Sequence, residues 1–178
     1  MNVLVAGGSG TIGLPLALAL RANGHTVTVL TRYRSKDQDL RALGLEAAVA
    51  DALDRDALMA VVGRARPTHV VHQLTGLPRR GPRRAADLAA TNRLRIEGTR
   101  NLVEAAIRVG ARRLVVGSFA ALASSGLSEA GMLRPAADAL HSMERQVIDA
   151  TKNGRIEGVI LRYGMFYGDE NPSTVAML

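Results

Sequence analysis

The sequence predicts an α/β fold, a doubly wound parallel sheet with strand order 3-2-1-4-5-6. Three observations predict it. Short apolar runs rich in β-branched residues alternate with helical stretches along almost all of the 178 residues, the βαβα pattern that builds a parallel sheet covered on both faces. The first run, Val3–Ala6, leads directly into a glycine-rich turn and then an apolar helical stretch. Hydrophobic residues make up 47% of the chain and charged residues 22%, the balance of one soluble globular core.

Each element has its local reason. Val3–Ala6 suits a strand buried on both faces. Thr11–Ala22 is the first helix, stopped at Asn23-Gly24, where glycine accepts the conformation that ends a helix. Thr26–Thr31 is the second strand, Ser35–Leu43 a short helix ending at Gly44, and Leu45–Ala50 the third strand. Asp54–Val62 is helical, with Asp54 placed to cap it and Leu58, Val61 and Val62 on one face. Pro67 breaks the chain before the fourth strand, Thr68–Leu74. Leu77–Arg84 is a loop, because Pro78, Gly81 and Pro82 interrupt it. Ala85–Val109 is one long helix, followed by the fifth strand, Arg113–Gly117. Residues 119–134, small and polar, form a second long loop. Pro135–Thr151 is a helix stopped at Asn153-Gly154, and Gly158–Tyr163 is the sixth strand. Asp169–Leu178 holds no regular element.

The turn after the first strand carries the first functional signal. Gly8, Gly10 and Gly13 read as G-x-G-x-x-G, and Gly7, Gly10 and Gly13 as G-x-x-G-x-x-G. Both patterns meet one demand: a tight turn, a backbone that a pyrophosphate can approach, and a helix packed closely on its strand. The free N–H groups and positive dipole end of that helix favour phosphates. A lone glycine pattern is weak, but strand, turn and helix arrive here in the required order. In such a sheet the ligand lies at the carboxyl ends of the strands. That brings Gly7–Gly13, Arg32, Asp51, Leu74, Thr75, Ser118 and Tyr163 around one crevice.

The residues after the second strand choose the nucleotide. A site for NAD places an acid about 20 residues beyond the glycines, to hold the ribose hydroxyls. Here Arg32 and Arg34 stand there, and the next acid is Asp37. A guanidinium grips a phosphate with two bonds. At about 4 Å and an effective dielectric near 20, one such charge pair contributes ~4 kcal/mol before desolvation. The expected cofactor is therefore NADP rather than NAD.

Composition excludes other classes. There is no cysteine, which removes disulfides and thiolate metal sites and is compatible with the expected cytoplasmic location. His69 and His72, three apart on a strand, point to opposite faces and make no metal pair. The net charge is +7, and all basic residues except Lys36 and Lys152 are arginines. Clusters occur at Arg79, Arg80, Arg83 and Arg84 and at Arg93, Arg95 and Arg100. Tyr33, Phe119, Tyr163, Phe166 and Tyr167 lie outside them, so the stacking platforms of a nucleic-acid groove are missing. No stretch reaches the ~20 apolar residues of a membrane span. Leu14–Leu20 is apolar but contains Pro15 and follows a glycine turn, which marks a buried helix rather than a leader.

Further motifs follow the turn in a fixed order: Val49-Ala50-Asp51-Ala52-Leu53, Val70-Val71-His72-Gln73-Leu74, Glu97-Gly98-Thr99-Arg100-Asn101-Leu102, Leu114-Val115-Val116-Gly117-Ser118, and Leu161-Arg162-Tyr163-Gly164-Met165-Phe166-Tyr167-Gly168. In this order and spacing the chain resembles the extended short-chain dehydrogenase/reductase superfamily, in its NAD-dependent epimerase/dehydratase branch. The resemblance covers nearly the whole chain. It implies a Rossmann-like NAD(P)-binding domain over residues 1–168, with 169–178 a tail leading to an absent or truncated substrate lobe. It implies that Gly7, Gly10, Thr11, Ile12 and Gly13 meet the pyrophosphate, with Asp51 at the adenine amino group and the Ala52 backbone beside it. Leu74 and Thr75 would flank the ribose, and Tyr163 would lie near the nicotinamide. It also implies pairing of two copies through the long helices, here residues 85–109 and 135–151.

The chain departs from that family at the chemistry. Members carry a Ser or Thr just after the fifth strand and a Tyr-x-x-x-Lys on the next helix. With Glu144 aligned to the acid that follows that motif, Ala136 stands for Tyr and Leu140 for Lys, and residues 119–151 contain neither residue type. Arg95 stands where the family often has Asn, with Asn92 one turn earlier. The candidates for replacement chemistry are His141, one position after the expected lysine, Ser118, and Tyr163. Ser124 and Ser125 could fold back toward the same place. Two functions follow. One is the cofactor-binding part of an NADP-dependent oxidoreductase or epimerase acting on a small molecule, a carbonyl compound or sugar nucleotide. The other is a non-catalytic NADP-binding sensor or regulator, for which the empty dyad speaks.

Overall fold

The computed structural model describes residues 1–78, 81–123, 133–164 and 166. Six strands form one parallel sheet: β1 (Asn2–Ala6), β2 (Thr26–Thr31), β3 (Glu46–Val49), β4 (His69–His72), β5 (Arg113–Phe119) and β6 (Glu157–Tyr163). Their order is β3-β2-β1-β4-β5-β6, as the alternation predicts. The register is continuous across the centre, with Val5 paired to Val29 on one side and to Val71 on the other. The direction of winding reverses between β1 and β4, and the carboxyl ends of those two strands open the crevice in which such sheets bind ligands.

Alternation along β1 explains why its sequence is apolar from Val3 to Ala6. Val3 and Val5 join Val27, Val29 and Leu40 in one core layer, under α1 (Gly13–Ala22) and α2 (Asp37–Ala42). Leu4 and Ala6 join Leu58, Leu102, Leu114 and Leu140 in the larger layer on the opposite face. That layer is roofed by α3 (Arg55–Ala65), α5 (Thr99–Arg108) and α7 (Arg134–Lys152), with α4 (Ala89–Arg93) entering ahead of α5 and α6 (Ala120–Ala123) ahead of α7. Asp54 caps α3 as predicted, its carboxylate accepting from the Ala57 N–H at 3.1 Å. Leu58, Val61 and Val62 are buried on one face of that helix.

Several boundaries differ from the sequence reading. The first helix starts at Gly13 rather than Thr11, because the glycine turn runs two residues further. The helix expected over Ser35–Leu43 is a 3₁₀ turn, Arg34–Lys36, followed by α2. The third and fourth strands are shorter, Glu46–Val49 and His69–His72. Helix α3 continues to Ala65 because its end is held from outside: Asn2 Nδ2 donates to the Ala65 carbonyl at 2.7 Å and to the Arg66 carbonyl at 3.1 Å. The long helix expected over Ala85–Val109 is broken into a 3₁₀ turn (Ala85–Leu88), α4, a π-helical turn (Leu94–Gly98) and α5. The carbonyl of Ile96 in that π turn accepts from Gln146 Nε2 on α7 at 3.1 Å, a tertiary bond that apolar periodicity does not encode. The fifth strand runs on to Phe119, so Ser118 lies inside it. Of the loop expected over 119–134, residues 120–123 form α6. Ser124 and Ser125 lie outside the described residues, as do Arg79, Arg80, Met165, Tyr167, Gly168 and the tail 169–178.

Candidate functional site

The site grows from the end of β1. Gly7 adopts φ 86°, and the turn closes with Gly8 N–H donating to the Val5 carbonyl at 3.2 Å and Gly10 N–H to the Gly7 carbonyl at 3.0 Å. A Cβ on Gly7 would stand 2.7 Å from the Gln73 carbonyl, and one on Gly13 would overlap the Gly7 carbonyl oxygen. Those two glycines serve the chain's own packing. Gly10 is different: a Cβ there would meet only the Gly7 carbonyl oxygen, at 3.3 Å, and otherwise open space. The Gly13 N–H opens α1 beside it; Pro15 has no N–H, and the Leu14 and Leu16 N–H groups donate to the Gly10 and Ile12 carbonyls at 2.9 and 3.3 Å.

A crevice of about 340 Å³ stands over this turn. Gly7, Ser9 and Gly10 form its floor. The segments leaving β2, β3 and β4 form its walls: Thr31, Arg32 and Tyr33; Asp51, Ala52 and Leu53; Gln73, Leu74, Thr75 and Gly76. Ala90, Arg93 and Leu94 close it from α4 and the π turn. Residues far apart in sequence thus converge, and Gly7, Gly10, Arg32, Asp51, Ala52, Leu74 and Thr75 all line one space. Thr11, Ile12, Gly13, Arg34, Ser118 and Tyr163 do not line it. Arg34 leaves the wall because the chain turns into its 3₁₀ segment directly after Tyr33. Tyr163 stands behind the wall, its hydroxyl accepting from Gln73 Nε2 at 2.8 Å. Sequence reasoning missed Gln73, Tyr33 and Arg93 as lining residues. Gln73 had a usable signal, since it precedes Leu74 at the end of a strand pointing at the crevice.

The electrostatics favour an anion. The Arg32 guanidinium lies 4.9 Å from the centre of the Tyr33 ring, a cation–π stack that holds it without neutralising it. Arg93 pairs with Glu97 through Nε at 3.0 Å. One oxygen of Asp51 accepts from the Leu53 N–H at 2.9 Å, which folds the wall after β3 into a tight turn. Below the crevice His72 is buried. Its Nδ1 accepts from the Leu74 N–H at 3.2 Å, so Nε2 carries the proton and donates to Thr99 Oγ1 at 2.9 Å. Burial, followed by the nearby Arg95 charge, pushes its pKa down to about 4, and the ring is neutral.

The positions of the missing dyad are packed. Ala136 and Leu140 are both 0% exposed, and Leu140 belongs to the main core. Ser118 is buried and donates to Glu144 Oε1 at 2.6 Å. Arg162 completes that group, with Nε to Oε1 at 3.0 Å and Nη2 to Oε2 at 2.7 Å. The Arg162 bonds, reinforced by Ser118 and opposed by burial, hold the Glu144 carboxyl below the usual carboxylate range. This cluster ties α7 to β5 and β6. His141 is half-buried on α7 near Glu144 and does not reach the crevice. Among the described residues no group of three or more His, Cys, Asp or Glu side chains gathers to hold a metal, and no helix is long and apolar enough to cross a membrane.

The sequence pattern of the NAD dependent epimerase/dehydratase family matches residues 3–177. A curated relative from Streptomyces sp., 3-diazoavenalumate denitrifying reductase, is 44% identical over 183 residues, covering 94% of this chain and 57% of the relative. The chain therefore spans little more than half the length of that relative. UDP-glucose 4-epimerase of Thermus thermophilus, solved with NAD, superposes with a TM-score of 0.76 at 25% identity, over 99% of this chain and 60% of that one. A short-chain dehydrogenase/reductase superfamily protein from Agrobacterium tumefaciens with bound NAD superposes with a TM-score of 0.68 at 27% identity, over 90% of this chain and 48% of that one.

Proposed function

The chain belongs to the NAD-dependent epimerase/dehydratase family, and from that premise we propose that it is the cofactor-binding part of an NADP-dependent reductase that expels dinitrogen from a diazo compound. The observation that carries this reading is a crevice over the glycine turn, with the Arg32 guanidinium in its wall and in no ion pair among the described residues, and with the buried Ala136 and Leu140 at the positions where the family resemblance implies a Tyr and a Lys. The glycine turn and the N-terminus of α1 would hold the pyrophosphate, Asp51 the adenine amino group, and Leu74 and Thr75 the ribose. Arg32 would hold the 2′-phosphate, which makes NADP the preferred form. Bound there, the dinucleotide supplies a hydride.

The chemistry of the described residues favours one class of substrate. Reducing a carbonyl places negative charge on oxygen and calls for a proton donor, and epimerising a sugar calls for a base on its hydroxyl. Ala136 and Leu140 can serve neither purpose. An aryl diazonium makes no such demand. Its C–N bond breaks, dinitrogen leaves with that bond's electron pair, and the hydride pair forms the new C–H bond, so charges balance without a proton from the protein. The Streptomyces relative, whose name describes that class of reaction, supports this choice. The epimerase neighbours support a second reading, a sugar-nucleotide substrate.

The test is turnover of an ortho-hydroxyaryl diazo compound with NADPH deuterated at C4. Expected is one dinitrogen released per NADPH consumed, with deuterium on the aryl carbon, above a protein-free control. Interconversion of UDP-sugars instead would overturn the reading in favour of the second. Tight NADPH binding with no turnover of either would favour a sensor. Pairing of two copies through the long helices would use the exposed Ile96 and Ile148; Ile148→Glu should then shift the sedimentation coefficient toward the monomer.

A further inference from the structure

The π-helical turn Leu94–Gly98 sets Arg95 between β4 and the first turn of α7. Its side chain is half-buried, and Nη1 donates to the Ala136 carbonyl at 3.5 Å, the outer limit of a hydrogen bond. Nothing else answers its remaining N–H donors among the described residues. Other arginines of the fold differ: Arg55 pairs with Glu104, Arg93 with Glu97, Arg113 with Glu157 and Arg162 with Glu144. Carboxylate partners raise the pKa of Arg55 and Arg162, whereas burial alone lowers that of Arg95. The neighbouring His72 offers no relief, because its acceptor nitrogen is already used by Leu74. One turn before Arg95, the Asn92 Oδ1 atom is buried and without a partner among the described residues.

A cation taken partly out of water, with no counter-charge among the described residues, favours an added anionic partner, and single π turns concentrate where function needs an irregular backbone. Arg95 also adjoins Leu94, which lines the crevice. We propose that Arg95 and Asn92 form a subsite for a carboxylate on the substrate, seated between the π turn and the first turn of α7. The planar fork of a guanidinium matches a carboxylate with two parallel N–H···O bonds, and the Asn92 amide takes a donor on the same ligand or its bridging water. The cofactor's phosphates are committed elsewhere, to the glycine turn and Arg32. The subsite deepens the reductase reading and rests on it for the placing of the cofactor.

The experiment titrates benzoate and the neutral benzamide into the chain, with and without saturating NADP⁺, by calorimetry. Expected is benzoate binding at least tenfold tighter than benzamide, with the difference lost in Arg95→Gln and partly kept in Arg95→Lys. NADPH affinity and melting temperature should stay unchanged in both variants. Equal binding of benzoate and benzamide would overturn the proposal, as would UDP competing for Arg95 more tightly than benzoate. An Arg95→Gln variant that melts several degrees lower would also overturn it, by making Arg95 a clamp between helices. A failure of the cofactor reading appears separately, as absent NADPH binding in the unaltered chain, while the titration without cofactor still reads the subsite.

Discussion

Arg32 is the residue on which the proposed preference for NADP rests. Its guanidinium is held over Tyr33 and lines the crevice, so replacing it should exchange one specificity for another without harming the fold. Arg32→Asp is expected to weaken NADPH binding at least tenfold and to strengthen NADH, as read by fluorescence titration. His72 gives a prediction in pH. In the unfolded chain its ring takes a proton near pH 6.5; in the fold it does so only near 4. As pH falls from 6.5 to 4 the unfolded chain gains a proton that the native one refuses, so stability is lost across that window. Between pH 7 and 5 the loss is about 2 kcal/mol, measurable by urea unfolding and flattened by His72→Gln. Glu144 is by contrast a charge the fold wants ionised, and its lowered pKa likewise makes stability fall as the pH drops. Removing it in Glu144→Ala leaves Ser118 and Arg162 without their acceptor and should cost about 2–3 kcal/mol, toward the low end because Arg162 is half exposed. That Arg32 and Asp51 line the crevice was legible from sequence, because Arg32 follows β2 directly and Asp51 stands two residues beyond β3. Arg34 was misplaced because two residues suffice for the chain to turn away. The Ser118–Glu144–Arg162 group was not legible, since two strands and a helix must be assembled before its members meet.

At the level of elements, the glycine turn divides into two kinds of position. Gly13→Ala would drive a methyl group into the Gly7 carbonyl and is expected to lower stability by several kcal/mol, with loss of cofactor binding as a consequence. Gly10→Ala meets only a 3.3 Å neighbour and should fold with a melting temperature near that of the unaltered chain, yet bind NADPH far more weakly. Thermal unfolding and cofactor titration on the same two variants separate these outcomes. The motif spacing made the turn legible; which glycine serves the fold and which serves the ligand depends on what lies within a few ångströms, and a string of letters does not carry that. The break in the helix over 85–109 was hidden for a related reason. Its apolar spacing suits a continuous helix, and the π turn is held by Gln146 from a helix 50 residues later.

Taken as a whole molecule, the chain presents a crevice built from the segments that leave the carboxyl ends of β1, β2, β3 and β4. Ligand binding to such a site stabilises the native state by RT ln(1 + [L]/Kd), about 2.7 kcal/mol at a hundredfold excess over Kd. For a domain of this size that corresponds to a rise of roughly 5–11 °C in melting temperature. NADPH should produce the larger rise at equal concentration, and a rise that is greater with NADH would count against Arg32 as the selector. Strand order was legible because parallel crossovers of one hand leave few topologies. The way α7 faces the core was not, because Ala136 and Leu140 could equally have lined an open pocket.

The burial of Ala136 and Leu140 reaches beyond present chemistry to the routes by which this sequence can change. Reinstating Tyr and Lys there would press a phenol into a space fitted to a methyl group and an ammonium into a layer of Leu, Met and Val side chains. Neither single step leaves a well-packed intermediate. The acid–base pair that the family resemblance implies is thus hard to install here by point substitution, and new activity is more readily acquired at the rim of the crevice, where side chains can vary without disturbing the core.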